Sequence, residues 1–261
     1  MPLDLARWLP EFPVRQHCLY LNHAAVAPLP LRVAEAMRVR IAEQETAVLV
    51  GEEEFAANVA PYLALQRRGV AVRRFPTPAG RVTLETVLPL LKPPVKVLAL
   101  SWVAFHTGWV APAAELASAA HERGVLVVLD AIQGLGVLPD RFDDLGVDAL
   151  VADGHKWLLG PEGLGLMVTR PTLRAALTPV LAGWLNVRRP DRQLFLQELE
   201  FHQDGRRFEP GATPTVLVAG LAAALDLLLD VGLDEVHARV TRHARMSTQL
   251  LLKSGWRVGS P

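Results

Sequence analysis

The chain has 261 residues, 51% of them hydrophobic, which is ample for one large core. Lys+Arg and Asp+Glu each number 27, so the chain lacks the net positive charge that grips nucleic acid without regard to sequence. Cys18 is the single cysteine, which excludes an intramolecular disulfide and fits a cytoplasmic home.

The opening MPLDLARWLP places acids and prolines where a secretory signal would carry a basic start and an apolar run. Residues 31–45 (LRVAEAMRVRIAEQE) repeat their apolar groups at helical spacing and predict an amphipathic helix. From Glu45 the chain passes into VLVGEEEF with no evident turn, an abrupt join for a self-sufficient domain. VKVLALSWV (Val95 to Val103) predicts a buried strand, and Pro112 to Arg123 a helix that Gly124 stops. Val125 to Ile132 is the clearest buried strand, and Val147 to Ala152 and Leu164 to Thr169 are two more. Strands alternating with helices imply an α/β fold, a mostly parallel sheet flanked by helices. Helices are expected at 216–231 and 233–253. The most apolar stretch, Val216 to Leu233, is interrupted by Asp226 and Asp230 and reads as a buried helix, not a membrane span. The final GWRVGSP reads as a strand that begins and stops.

Two residues carry the chemistry. Asp130 closes an apolar strand, and in open α/β sheets ligands bind at the carboxyl ends of strands; a turn acid is the bland alternative. Lys156 follows another apolar strand, inside DGHKWLLGPEG (Asp153 to Gly163). A lysine after a strand is ordinarily a solvated surface group, but partial burial favours the neutral, nucleophilic amine. Pyridoxal phosphate requires a lysine for a Schiff base and a carboxylate that keeps its ring nitrogen protonated. Lys156 and Asp130 supply both. Gly134-Leu135-Gly136 after a strand hints at a nicotinamide site, but no third glycine follows at the required spacing. The histidines show no HExxH-type zinc spacing.

DAIQGLG followed by VDALVADGHKWLLGPEGLGLM resembles the cofactor core of the class V aminotransferases, the fold-type I group that includes cysteine desulfurases, isopenicillin N epimerase-like proteins and kynureninase. YLNHAAVAPLP (Tyr20 to Pro30), EFAANVAPYLAL (Glu54 to Leu65) and RRFEPGATP (Arg206 to Pro214) are similar to further family segments in the family's order. The resemblance implies a homodimeric pyridoxal-phosphate enzyme acting on a small amino acid by transamination, racemisation or β-elimination. By position, Lys156 becomes the Schiff-base lysine, Asp130 the partner of the ring nitrogen and Gln133 a donor to the ring's phenolic oxygen. His155 falls beside the phosphate, and Thr213 reaches the phosphate of a neighbouring subunit. Trp102 falls where many members stack a histidine on the ring, an arrangement an indole can reproduce; a core aromatic at a strand end is the alternative. The implied organisation is an N-terminal segment over 1–24, a large cofactor domain over 25–215, and a linking helix with the start of a small domain over 216–261.

Three departures from the family set further expectations. Asp153 stands where many relatives have a serine on the phosphate, and a carboxylate beside a dianion is repulsive. Near Glu45 to Val50 the family's phosphate-cradling helix end is missing. The family's substrate-binding arginine lies past the last residue. These features favour a cleft left open beside Lys156, weak cofactor retention, and, as the alternative function, a fold-retaining, catalytically impaired relative acting as a binding or interaction protein. Cys18 lies in the opening segment and does not match the desulfurase nucleophile.

Overall fold

The computed structural model describes residues 46–188 and 198–260. Six strands form one sheet: β1 (Thr46–Gly51), β2 (Val70–Phe75), β3 (Val95–Ser101), β4 (Leu126–Asp130), β5 (Ala149–Asp153) and β6 (Gly165–Thr169). Their order is β2-β1-β3-β4-β5-β6. All pairings are parallel except β5 with β6, which is antiparallel. Helices α1 (Ala56–Leu65), α2 (Leu84–Val87), α3 (Ala113–His121) and α4 (Phe142–Leu145) make the crossovers between parallel strands. After β6 come α5 (Pro171–Ala176), α6 (Thr215–Val231) and α7 (Leu233–Lys253).

Burial on both faces explains the apolar strands. In β1, Ala47 and Leu49 face one core with Phe75, Leu98, Leu100 and Leu129, while Val48 and Val50 face another with Ala99 and Tyr62. This is the period of two of a strand covered on both sides, which reads in sequence as a continuous apolar run. Each fully buried Leu contributes about 1.5–3 kcal/mol. On α3, Leu116, Ala117 and Ala120 press small side chains against the sheet.

The structure adds two strands that the patterning did not separate. Residues 46–51, taken above as the far side of an abrupt join, are β1, an interior strand between β2 and β3. The join itself, the helix expected over 31–45 and Cys18 lie outside the described residues. A second correction concerns α6. Of its apolar residues only Leu221 and Leu228 are buried, against the turn after β5, while Val216 and Leu229 are 82% and 67% exposed. No single helix among the described residues is long and apolar enough to cross a membrane. GWRVGS after α7 forms no strand.

Candidate active site

Strand order reverses between β1 and β3, because the chain moves outward from β1 to β2 and then returns to β1's other side. A crevice opens at the carboxyl ends of strands at such a point. Ser101 pairs with Asp130, and Asp130 with Val151, so Asp130 stands in the middle of that edge. Glu54, just after β1, folds across it. Its Oε2 accepts the Ser101 N–H at 2.7 Å, and its Oε1 accepts the Ser101 hydroxyl at 2.6 Å, the Phe55 N–H at 2.7 Å and Asn58 Nδ2 at 3.1 Å. Asn58, in the first turn of α1, also donates from Nδ2 to Asp130 Oδ2 at 2.6 Å. Asp130 Oδ1 accepts the Ile132 N–H at 2.8 Å. Burial pushes the Asp130 carboxyl above the usual carboxylate range. The hydrogen bonds from Asn58 and Ile132 oppose this, the Glu54 charge adds to it, and the Lys156 charge opposes it.

A cleft of about 1030 Å³ begins at Asp130, Phe55 and Asn58, runs along β6 and ends at residues 210–214 and the first turns of α6. Phe55 is 42% exposed into this region and packs edge-on against Phe105, with ring centroids 5.1 Å apart. Thr213 lines the far wall, as do Arg174 and Asp153. α6 carries no acid in its first turn, so its free N–H groups leave that end of the cleft favourable to an anion.

Lys156 is half-buried in the turn after β5. The turn is closed by the Gly160 N–H to the Gly154 carbonyl at 2.7 Å and the Leu159 N–H to the Lys156 carbonyl at 3.0 Å. Leu159 adopts the left-handed region (φ 57), a strain of the kind that collects at functional turns. Lys156 acts on Asp130 through its charge, yet it is not among the residues lining the cleft.

The remaining sequence candidates are dispersed. Trp102 does not line the cleft: it is 2% exposed and packed in the main core. A Cβ on Gly134 would stand 2.6 Å from the indole, so the chain after β4 closes directly over it. Its placement at a strand end served packing, the alternative weighed above. Gln133 accepts from Trp157 Nε1 at 3.1 Å and is also absent from the cleft lining. His155 is exposed. Glu54, Phe55 and Asn58 were missed as site residues. EFAANVAPYLAL stood out as similar to a family segment, but nothing in its spacing says that it folds over the end of β4.

The class-V aminotransferase family model matches residues 20–258. A probable cysteine desulfurase of Mycobacterium leprae is 35% identical over 193 residues, covering 73% of this chain and 44% of that protein. One from Aeropyrum pernix is 38% identical over 141 residues, covering 54% and 34%. Among solved structures, the cysteine desulfurase CsdA of Escherichia coli superposes with a TM-score of 0.72 at 27% identity, covering 80% of this chain and 52% of that one. A cystine C-S lyase, C-DES, solved with glycine covalently linked to its pyridoxal-phosphate cofactor, superposes with a TM-score of 0.71 at 26% identity, covering 77% and 54%. The chain spans less than half the length of the curated relatives it matches. With the sheet order, the Asp130 edge and a family match across most of its length, this chain belongs to the class-V aminotransferases, a family of pyridoxal-phosphate enzymes.

Proposed function

We propose that the chain forms the cofactor-bearing part of an enzyme that acts on a small amino acid, cysteine being the substrate named by its relatives' descriptions. The observation that carries this reading is the placement of Asp130 at the end of β4 and of Lys156 in the turn after the neighbouring parallel strand β5. The described residues fit the ring end of pyridoxal phosphate. Asp130 would hold the ring nitrogen, Phe55 would cover one face, and Lys156 would form the covalent link. At the anionic end Thr213, Arg174 and the start of α6 are favourable and Asp153 is not. When bound, the cofactor withdraws electrons from the substrate α-carbon. Lys156 Nζ, freed when the substrate amine displaces it, would serve as the base that removes the α-proton or returns it. Asp130, half-buried at the start of the cleft, would keep the ring nitrogen protonated. Phe55, on the cleft lining, would shield that end from water once a ring is bound.

The test is titration of the purified protein with pyridoxal phosphate, followed by borohydride reduction and peptide mapping. A visible absorbance band and label at Lys156, with none at Lys92, Lys96 or Lys253, are expected. Label elsewhere, or none, overturns the assignment. A second reading, a fold-retaining relative that acts as a binding or interaction protein, is favoured by the Asp153 carboxylate on the cleft wall, which opposes the cofactor phosphate. It predicts neither the band nor the label. Sedimentation of the same sample checks the homodimer that the family resemblance implies.

A further inference from the structure

We infer that Asn58, oriented by Glu54, is a positioning residue that fixes the Asp130 carboxylate. The inference rests on the reading of Asp130 as the ring-nitrogen partner for its purpose, but not for its test. Asn58 Nδ2 lies 2.6 Å from Asp130 Oδ2 and 3.1 Å from Glu54 Oε1. Ionised carboxylate oxygens only accept, so the amide must present its NH2 and not its carbonyl to this pair. Its two hydrogens then serve two carboxylates. Glu54 cannot turn away to release the amide, because Ser101 and the Phe55 N–H hold both of its oxygens. Asp130 is thereby gripped at both oxygens, Oδ2 by Asn58 and Oδ1 by the Ile132 N–H. Each oxygen keeps a further lone pair for a ligand, while the plane of the carboxylate is set in advance. The arrangement ties three strands to one function. Glu54 follows β1, Ser101 ends β3 and Asp130 ends β4, so Asn58 spans the place where strand order reverses. The charged groups acting on Asp130 are Glu54 from the segment after β1 and Lys156 from the turn after β5. Asn58 is the neutral donor between the two acids, and it lets Asp130 carry a charge beside Glu54.

The experiment uses labelled protein without added cofactor. The Asp130 carboxyl carbon, identified by its loss in Asp130→Asn, and the Asn58 side-chain amide are followed by NMR against pH. Both signals are expected to move with one shared midpoint. In Asn58→Leu the Asp130 midpoint should rise by roughly one pH unit, the size of one hydrogen bond to a charged group. An Asn58 amide that stays still while Asp130 titrates overturns the inference, as does an unchanged midpoint in Asn58→Leu. If that variant fails to fold, the co-titration in the unsubstituted protein decides the matter alone. Failure of the cofactor reading looks different, since the absorbance band would be missing while the two signals still titrated together.

Discussion

The Asp148 carboxylate and the His121 imidazole stand 2.8 Å apart, joining the start of β5 to the end of α3. The same Oδ2 accepts the Val127 N–H of β4 at 2.7 Å, and the Asp148 N–H returns a bond to the Val127 carbonyl. The Asp148 side chain is 10% exposed, whereas the His121 side chain is 40% exposed. The pair should therefore respond unequally to substitution. Asp148→Ala strands a buried Val127 N–H and is expected to cost about 1–3 kcal/mol. His121→Ala breaks a partly solvated contact and should cost under about 1 kcal/mol. Urea unfolding of the two variants checks the ranking, and equal losses would contradict it.

Asp130 gives a prediction for pH. Its folded-state carboxyl is raised above the ordinary 3.8, mainly by burial. A raised acid binds more protons folded than unfolded, so its contribution to stability is fully present below 3.8 and is lost as pH rises through the folded value. Asp130→Asn carries no charge but keeps one acceptor oxygen for the two donors, Asn58 and the Ile132 N–H, a loss that is the same at every pH. Its melting temperature relative to the parent should therefore rise between about pH 3 and pH 7, as the parent's charge appears. A difference that stays constant across that range would show that the charge is not the cause.

Trp102 should act on the fold and not on the cofactor. Trp102→Ala removes a fully packed indole and is expected to cost about 3–5 kcal/mol. Gly134→Ala should destabilise as well, since its Cβ would meet the indole at 2.6 Å. Paired with Trp102→Ala the Gly134→Ala penalty should shrink, because the clash partner is gone. Denaturant melts of the single and double variants measure this, and additive losses would place the strain elsewhere.

Phe55 is the aromatic at the Asp130 end of the cleft. Phe55→Ala should weaken cofactor retention by about 0.5–1.5 kcal/mol, a few-fold to tenfold in dissociation constant, with little change in stability at a 42% exposed site. Absorbance titration reads the affinity. An unchanged constant would remove Phe55 from the site.

The pattern of apolar runs and helical stretches by itself determined strands β3 to β6 and the two C-terminal helices, because local periodicity and burial on both faces leave a direct imprint on composition. It also singled out Asp130 and Lys156, since an ionisable residue at the end of a buried strand is conspicuous without any knowledge of its neighbours. Tertiary structure decided what spacing cannot encode. Thr46–Gly51 became an interior strand only because β2 and β3 flank it. Trp102 is buried in the main core, with the chain at Gly134 packed directly against its indole. Glu54 and Asn58 reached Asp130 across 72 residues of sequence, in the case of Asn58, through the crossing of α1 over the strand ends. Contacts of that kind depend on the order of strands in the sheet, and strand order is fixed by long-range packing, not by the local run of residues.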